Sequence, residues 1–286
     1  MMQLIRDASR SKDCNEEEKV GPFYIKHKIG QGKTATVKLA VHSWNGTKAA
    51  VKIINKTVSR KRKEANKEIR ILSNIDPHPN VISLLHVEED LENIYLFTEY
   101  CEQGDFMEYI ERNGIFPENM AKKLFLQMLD AVEFCHKKLM MCHHDIKLEN
   151  FVLTSTGLVK LIDFGFAVPL SNENNDAAAN AIRTFDGSPA YSPLEVLLKK
   201  SHDELVDVFG LGACLYYMLC GSFPFCDPGK TTLEELRENV RAGHVDFPEG
   251  LVSAPAQDLI RRMLAKRKQR ISAHEIRNHT WLNVYL

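Results

Sequence analysis

Hydrophobic spacing changes its period about a third of the way along the chain, and no single-layer fold accommodates both halves. Between residues 24 and 87 the runs YIKHKIG, ATVKLAV, KAAVKII and VISLLHV are rich in β-branched residues and read as strands, with Trp44-Asn45-Gly46 as the turn between the second and third. One helix interrupts them: Ala65, Ile69 and Leu72 recur at helical spacing, while Lys61, Lys63, Lys67 and Arg70 take the other side. A last strand covers residues 94–99. Beyond it, Ala121, Leu124, Phe125, Met128, Leu129 and Val132 mark a long amphipathic helix entered at Phe116-Pro117. Two short strands, 151–153 and 159–162, surround a Thr154-Ser155-Thr156-Gly157 turn, and from Glu195 the pattern is helical. The expectation is an α+β chain with a small β-rich lobe before a larger helical one, and a border near residues 100–104.

Composition narrows the class. With 44% apolar and 26% charged residues in 286, the chain is globular rather than disordered. A net charge of -1 gives no field that would draw it to nucleic acid or to a membrane. The seven cysteines form no CxxC pair and their number is odd, which suits reduced thiols. No export signal opens the chain, and the apolar stretch 208–220 is too short to span a bilayer. An intracellular protein, cytoplasmic and/or nuclear, is expected, without nucleic-acid or membrane partners.

Four short stretches carry chemistry. Ile29-Gly30-Gln31-Gly32-Lys33-Thr34-Ala35-Thr36-Val37 places two glycines between strands, where backbone can approach phosphates or merely turn a hairpin. Gly32-Lys33-Thr34 imitates the end of a Walker A loop, but position 27 is His27 and the run VKLAV after it is strand-like, so that reading fails. In Ala50-Val51-Lys52 a lysine follows a buried run; a fixed ammonium there could hold ATP phosphates if an acid oriented it. Glu68, one turn before Leu72, can point inward to do so. In His143-His144-Asp145-Ile146-Lys147-Leu148-Glu149-Asn150, Asp145 can accept a hydroxyl proton, Lys147 can neutralise a phosphoryl group and the Asn150 amide oxygen can ligate a metal. Asp163-Phe164-Gly165 comes after the next strand pair, and a hairpin of that size returns Asp163 near Asn150, as a second oxygen ligand for Mg²⁺.

In this order the stretches resemble a eukaryotic protein kinase catalytic domain over about residues 22–282. The resemblance implies a bilobal kinase-like fold with a tail at 1–21, an N-lobe at 22–100 and a C-lobe at 101–286. It also implies ATP and Mg²⁺ as cofactors, and protein substrates. By the same alignment the Glu99 carbonyl and Cys101 amide bond adenine, with Thr98 behind it. Asp207 in DVFGLG holds the catalytic loop, and Arg270 pairs with Glu195. Lys147 and the run Gly187-Ser188-Pro189-Ala190-Tyr191 resemble serine/threonine kinases. Residues 95–101, Ile182-Arg183-Thr184 and His279-Thr280-Trp281 look like the calmodulin-dependent and AMP-activated branch, including checkpoint kinases. In that branch acids matching Asp105 and Glu149 receive a basic residue upstream of the acceptor hydroxyl, which implies a preference for arginine three residues before it; the alternative is that Asp105 binds only the ATP ribose.

Four departures stand out. Ala35 replaces the third glycine, and His144 replaces the arginine that in this family receives an activation-segment phosphate. Activity is therefore expected to depend only modestly on phosphorylation of Thr184. Pro193-Leu194-Glu195 replaces Ala-Pro-Glu, and Lys266-Arg267 replaces the usual Asp-Pro; both touch the frame, and a less stable large lobe is expected. The alternative to an enzyme is a pseudokinase scaffold, but Lys52, Glu68, Asp145, Asn150 and Asp163 together are more than a scaffold needs. The group Cys135, His136, Cys142, His143 and His144 lacks the spacing of a zinc ligand set. A monomer is expected, regulated by a partner in trans.

Overall fold

A computed structural model describes residues 18–32, 35–170 and 188–283. The N-terminal tail up to residue 17, Cys14, Lys33, Thr34, Thr184 and the polar stretch 171–181 lie outside the described residues. The chain falls into two compact units. One holds the described residues up to Arg62 together with Leu84–Tyr100; the other holds Lys63–Ser83 and the chain from Cys101 onward.

The first unit is a six-stranded antiparallel sheet. Its strands are β1 (Lys19–Val20), β2 (Phe23–Gln31), β3 (Thr36–His42), β4 (Lys48–Asn55), β5 (Leu84–Glu89) and β6 (Asn93–Glu99), in the order β1-β2-β3-β4-β6-β5. Alternation along the strands sends Phe23, Ile25, Ala40, Ala49, Val51, Tyr95 and Phe97 to one buried face, where the Phe23 and Phe97 rings stack at 4.4 Å. Residues of the other parity form a row across the sheet. Gly30 pairs with Val37, Val37 with Lys52, and Lys52 with Leu96. The strand expected from residue 81 begins at Leu84. Val81 instead bridges to Leu161 and belongs to the second unit.

Helix α1 (Ser59–Leu72) buries Ala65, Glu68, Ile71 and Leu72. Ile69, expected on the apolar face, is only half-buried, because that face turns toward Ile71. The second unit continues with α2 (Phe106–Asn113), α3 (Glu118–Lys137), β7 (Met141–Cys142), β8 (Phe151–Leu153), β9 (Val159–Leu161), β10 (Val168–Pro169) and α4 (Leu194–Leu197). Helices α5 (Leu205–Cys220), α6 (Leu233–Ala242), α7 (Ala254–Met263), α8 (Ala273–Arg277) and α9 (Thr280–Asn283) complete it. The architecture is α+β, an antiparallel sheet unit and a mainly helical one.

Helix α5 organises the second unit and is buried almost all round, as its apolar sequence requires. Two of its glycines are there for space. A Cβ on Gly210 would lie 2.8 Å from the Cβ and the backbone oxygen of Ile146, and one on Gly212 would lie 2.9 Å from Met263 Cβ in α7. Ile146 is the residue after Asp145, so the helix packs directly under the loop that carries the reactive groups. No helix among the described residues is long and apolar enough to cross a membrane.

Candidate active site

In the first unit, the turn after β2 is closed by the Gly32 N–H donating to the Ala35 carbonyl at 2.9 Å, with the Gln31 amide donating to the same oxygen at 3.3 Å. Thr36 Oγ1 donates to Gln31 Oε1 at 3.1 Å. Among the described residues, a Cβ on Gly30 or Gly32 would meet nothing nearer than 3.6 Å. Neither glycine is demanded by packing among the described residues, which is compatible with close approach of a ligand to the backbone. Ala35 is buried where the third glycine was expected. Val37 and Lys52 are paired neighbours on β3 and β4 and share a face of the sheet, with Lys52 half-buried; Ile29 lies on β2 and Glu99 ends β6.

In the second unit, Glu68 is 4% exposed on the inward face of α1, as its spacing from Leu72 predicts, and Cys101 is buried just after the last strand of the sheet. The loop after β7 brings three of the candidate side chains into mutual contact. Lys147 Nζ donates to Asp145 Oδ2 at 2.6 Å; the Asn150 amide donates to Asp145 Oδ2 at 2.9 Å and to its backbone oxygen at 2.7 Å. With its nitrogen committed in this way, the Asn150 amide presents its oxygen, the atom a hard cation takes.

The β8–β9 hairpin then brings the chain back. Ile162 donates its N–H to the Asn150 carbonyl at 2.9 Å, and its own carbonyl accepts from His143 Nε2 at 3.1 Å. That bond fixes the His143 tautomer: Nε2 carries the proton and Nδ1 faces the Asp145 N–H. Asp163, the next residue, has φ of +62°, and its carboxylate accepts from the Gly165 N–H at 3.3 Å. A Cβ on Gly165 would crowd that carboxylate at 3.2 Å. Phe164 is buried edge-on against His143 at 5.1 Å. Asn150 and Asp163 thus offer oxygen donors from two backbone segments one hydrogen bond apart, a donor set that suits Mg²⁺.

A buried carboxylate anchors the loop. Asp207 in α5 accepts at Oδ2 from the His143 N–H (2.7 Å), His136 Nε2 (2.8 Å) and the Cys142 thiol (3.2 Å), and at Oδ1 from the His144 N–H (2.9 Å). Burial opposes its ionisation, but the His136 hydrogen bond and the nearby His143 and His144 outweigh it and hold the carboxyl well below the usual range. His136, Cys142 and Asp207 are close enough to share an ion, yet both side chains donate protons to the carboxylate, which is the arrangement of a satisfied hydrogen-bond hub. The Cys142 contribution has no signal in the sequence, because a residue before the catalytic loop reads only as the end of a buried strand.

His144 has φ of +67°, and its buried Nε2 has no hydrogen-bond partner among the described residues. Burial, the dominant cause, pushes its pKa down to about 4; Asp207 works against this, and His202, His143 and Lys67 reinforce it. Between pH 6.5 and about 4 the unfolded chain therefore takes up a proton that the folded chain refuses. Stability falls as pH drops through that window, by about 1.4 kcal/mol per unit and about 3 kcal/mol across it. Asp207 works in a different window, since a depressed carboxyl pKa withdraws stability only below about pH 4. Urea titrations at pH 7 and pH 5 measure the slope, and His144→Asn lowers it, leaving the contribution of His202, whose pKa burial also lowers; an equal slope in the variant removes His144 as a source.

The segment from Tyr191 to Glu195 is tied down twice. Tyr191 donates its hydroxyl to Glu149 Oε2 at 3.0 Å. Arg270 reaches Glu195 at 2.8 Å, as the resemblance implied, also donates to the Ala265 and Leu205 carbonyls, and lies over the Phe209 ring at 5.0 Å. Arg267 binds Asp203 at 2.7 Å, so the Lys266-Arg267 departure brings an ion pair that local sequence does not foretell.

The model of the protein kinase domain matches residues 23–282. Among curated relatives, the SNF1-related protein kinase catalytic subunit alpha KIN12 of Arabidopsis thaliana is 36% identical over 98% of this chain and 55% of its own length. Serine/threonine-protein kinase SIK1 of Mus musculus is 36% identical over 92% of this chain and 33% of its own. Serine/threonine protein kinase OSK3 of Oryza sativa subsp. indica is 36% identical over 96% of this chain and 53% of its own. The chain spans between a third and about half of the length of these relatives. The kinase motifs, the loop built around Asp145 and a match over nearly the whole chain agree: this chain belongs to the protein kinase domain family.

Proposed function

We propose that the chain is a protein serine/threonine kinase that transfers the γ-phosphoryl group of ATP to hydroxyls of protein substrates. The observation that carries this reading is the bonded set of Asp145, Lys147 and Asn150 on a loop anchored by Asp207. The names of the relatives support the serine/threonine class.

In this mechanism Asp145 orients the substrate hydroxyl and takes its proton as the oxygen attacks in line. Lys147, already beside that carboxylate, neutralises charge on the moving phosphoryl group. Lys52, for which Glu68 is the candidate orienting acid, and the segment 29–37 are the groups assigned to the phosphates. The Glu99 carbonyl and the Cys101 amide receive the adenine. Asn150 and Asp163 would hold Mg²⁺, which would supply charge neutralisation at the phosphates. Positioning and electrostatics do the work, and no covalent intermediate on the protein is needed. Incubation of the chain with Mg-ATP and a pool of serine- and threonine-containing peptides tests the activity: radiolabel enters serine or threonine, and a chain that labels no peptide defeats the reading.

Asp105 and Glu149 give this site a preference for a basic residue upstream of the acceptor. Asp105 caps α2 by accepting from the Glu108 N–H at 2.9 Å. Burial first, with Glu108 and Glu149 adding to it, pushes its pKa up to about 6. The carboxyl ionises as pH rises through that value, so selection for arginine three residues before the acceptor strengthens between pH 5.5 and 7. At pH 7.5, Asp105→Asn raises KM for an arginine-containing peptide about tenfold and leaves KM for its alanine counterpart unchanged. Equal KM values for the two peptides in the unmodified chain would remove the preference.

A further inference from the structure

The backbone from which Asp145 projects is held on its amide side by Asp207, but the side chain of the preceding residue is held by another segment. His144 is in the left-handed region, which a residue with a Cβ adopts only where its surroundings compensate. Its ring lies 4.8 Å from that of His202, at 37°. Since its buried Nε2 has no hydrogen-bond partner among the described residues, packing is what confines that end of the ring.

The wall it packs against is itself fixed. His202 lies in the loop between α4 and α5 and donates from Nδ1 to the Lys200 carbonyl at 2.8 Å. Arg267 donates to the Ser201 carbonyl at 3.3 Å and to Asp203 Oδ2 at 3.0 and 2.7 Å, on either side of His202. Asp203 Oδ1 accepts from the Leu205 N–H at 3.1 Å, which ties the loop to the first turn of α5, the helix of Asp207.

We propose that His202 is a positioning residue for the proposed catalytic aspartate: its ring, carried on a segment that the Arg267–Asp203 pair holds on either side, confines the ring of His144 and so fixes the backbone that aims Asp145. The word catalytic rests on the kinase reading; the brace itself does not. Asp207, His143 and Lys67 act on His144, and Glu195, Asp203 and Arg267 on His202. Burial lowers the pKa of both rings, so they meet as neutral aromatic surfaces near pH 7. A phenylalanine at position 202 therefore preserves the contact and an alanine does not.

Hydrogen exchange and steady-state kinetics on the full chain, His202→Ala and His202→Phe test the proposal. In His202→Ala, exchange over residues 141–147 rises on the order of tenfold while α5 and α7 keep their protection; His202→Phe exchanges as the unmodified chain does. With the peptide pool and Mg-ATP, kcat of His202→Ala falls about tenfold, KM for ATP stays within about twofold, and His202→Phe restores kcat. Native-like exchange over 141–147 in His202→Ala, an unchanged kcat, or exchange raised equally through α5 and α7 overturns the proposal. A chain that transfers no phosphate at all defeats the kinase reading, while exchange still decides the brace.

Discussion

Asp145→Asn lowers phosphate transfer by about a thousandfold, roughly 4 kcal/mol of barrier, while the fold stays intact. The change swaps one carboxylate oxygen for an amide group of the same shape. The side chain still fits its buried site, and a carbonyl oxygen remains to accept from the Asn150 amide. It can no longer take the hydroxyl proton. Lys147, bonded to that same oxygen, loses the opposite charge but keeps an acceptor and access to water, so stability changes by about 1 kcal/mol or less. Initial rates with radiolabelled ATP, alongside melting curves, separate the two effects. Lys52→Met belongs in the same experiment, since it removes the proposed phosphate-binding ammonium from a strand whose packing it leaves alone. Either variant working at the native rate would remove its residue from the mechanism.

Asp207→Ala is the most damaging substitution expected for the fold. The carboxylate is 1% exposed and accepts four hydrogen bonds, two of them from the backbone N–H groups of His143 and His144. Its removal leaves those donors facing a void from which water is excluded, and each buried unsatisfied donor costs about 1–3 kcal/mol. With rearrangement recovering part of that, the loss is about 3–5 kcal/mol in a denaturant titration at pH 7. The loop that carries Asp145 is the part released, so transfer also falls, by about a hundredfold at temperatures where the variant is still folded. An unfolding midpoint equal to that of the unmodified chain would show that the loop holds its shape without this anchor.

Much of the site is legible in the order of residues alone. Asp145, Lys147 and Asn150 are close in sequence, and a short hairpin has few ways to go but back, so the bond from Ile162 to Asn150 is a consequence of spacing. The inward position of Glu68 comes likewise from one helical turn to Leu72. The pairing of Arg270 with Glu195 has no such local basis and came from the family resemblance alone. Other features left no trace in the pattern. Val81, in a run that reads as one strand, pairs away from it, because hydrogen-bond partners of a strand end are chosen by what lies alongside. Ile71 rather than Ile69 is buried because the width of a helix's apolar face is set by its neighbours.

The order of elements, the α+β class and the candidate residue types follow from residue order alone, since these depend on local period and on chemistry within a few residues. How the departures are accommodated depends on contacts between residues far apart in the chain. Arg267, in place of an expected Asp-Pro, grips Asp203 64 positions away, and His144, in place of an arginine, finds a buried neutral ring instead of a solvated charge. Both outcomes depend on long-range packing and on how far burial depresses a histidine's pKa, and neither can be read from a residue's neighbours along the chain.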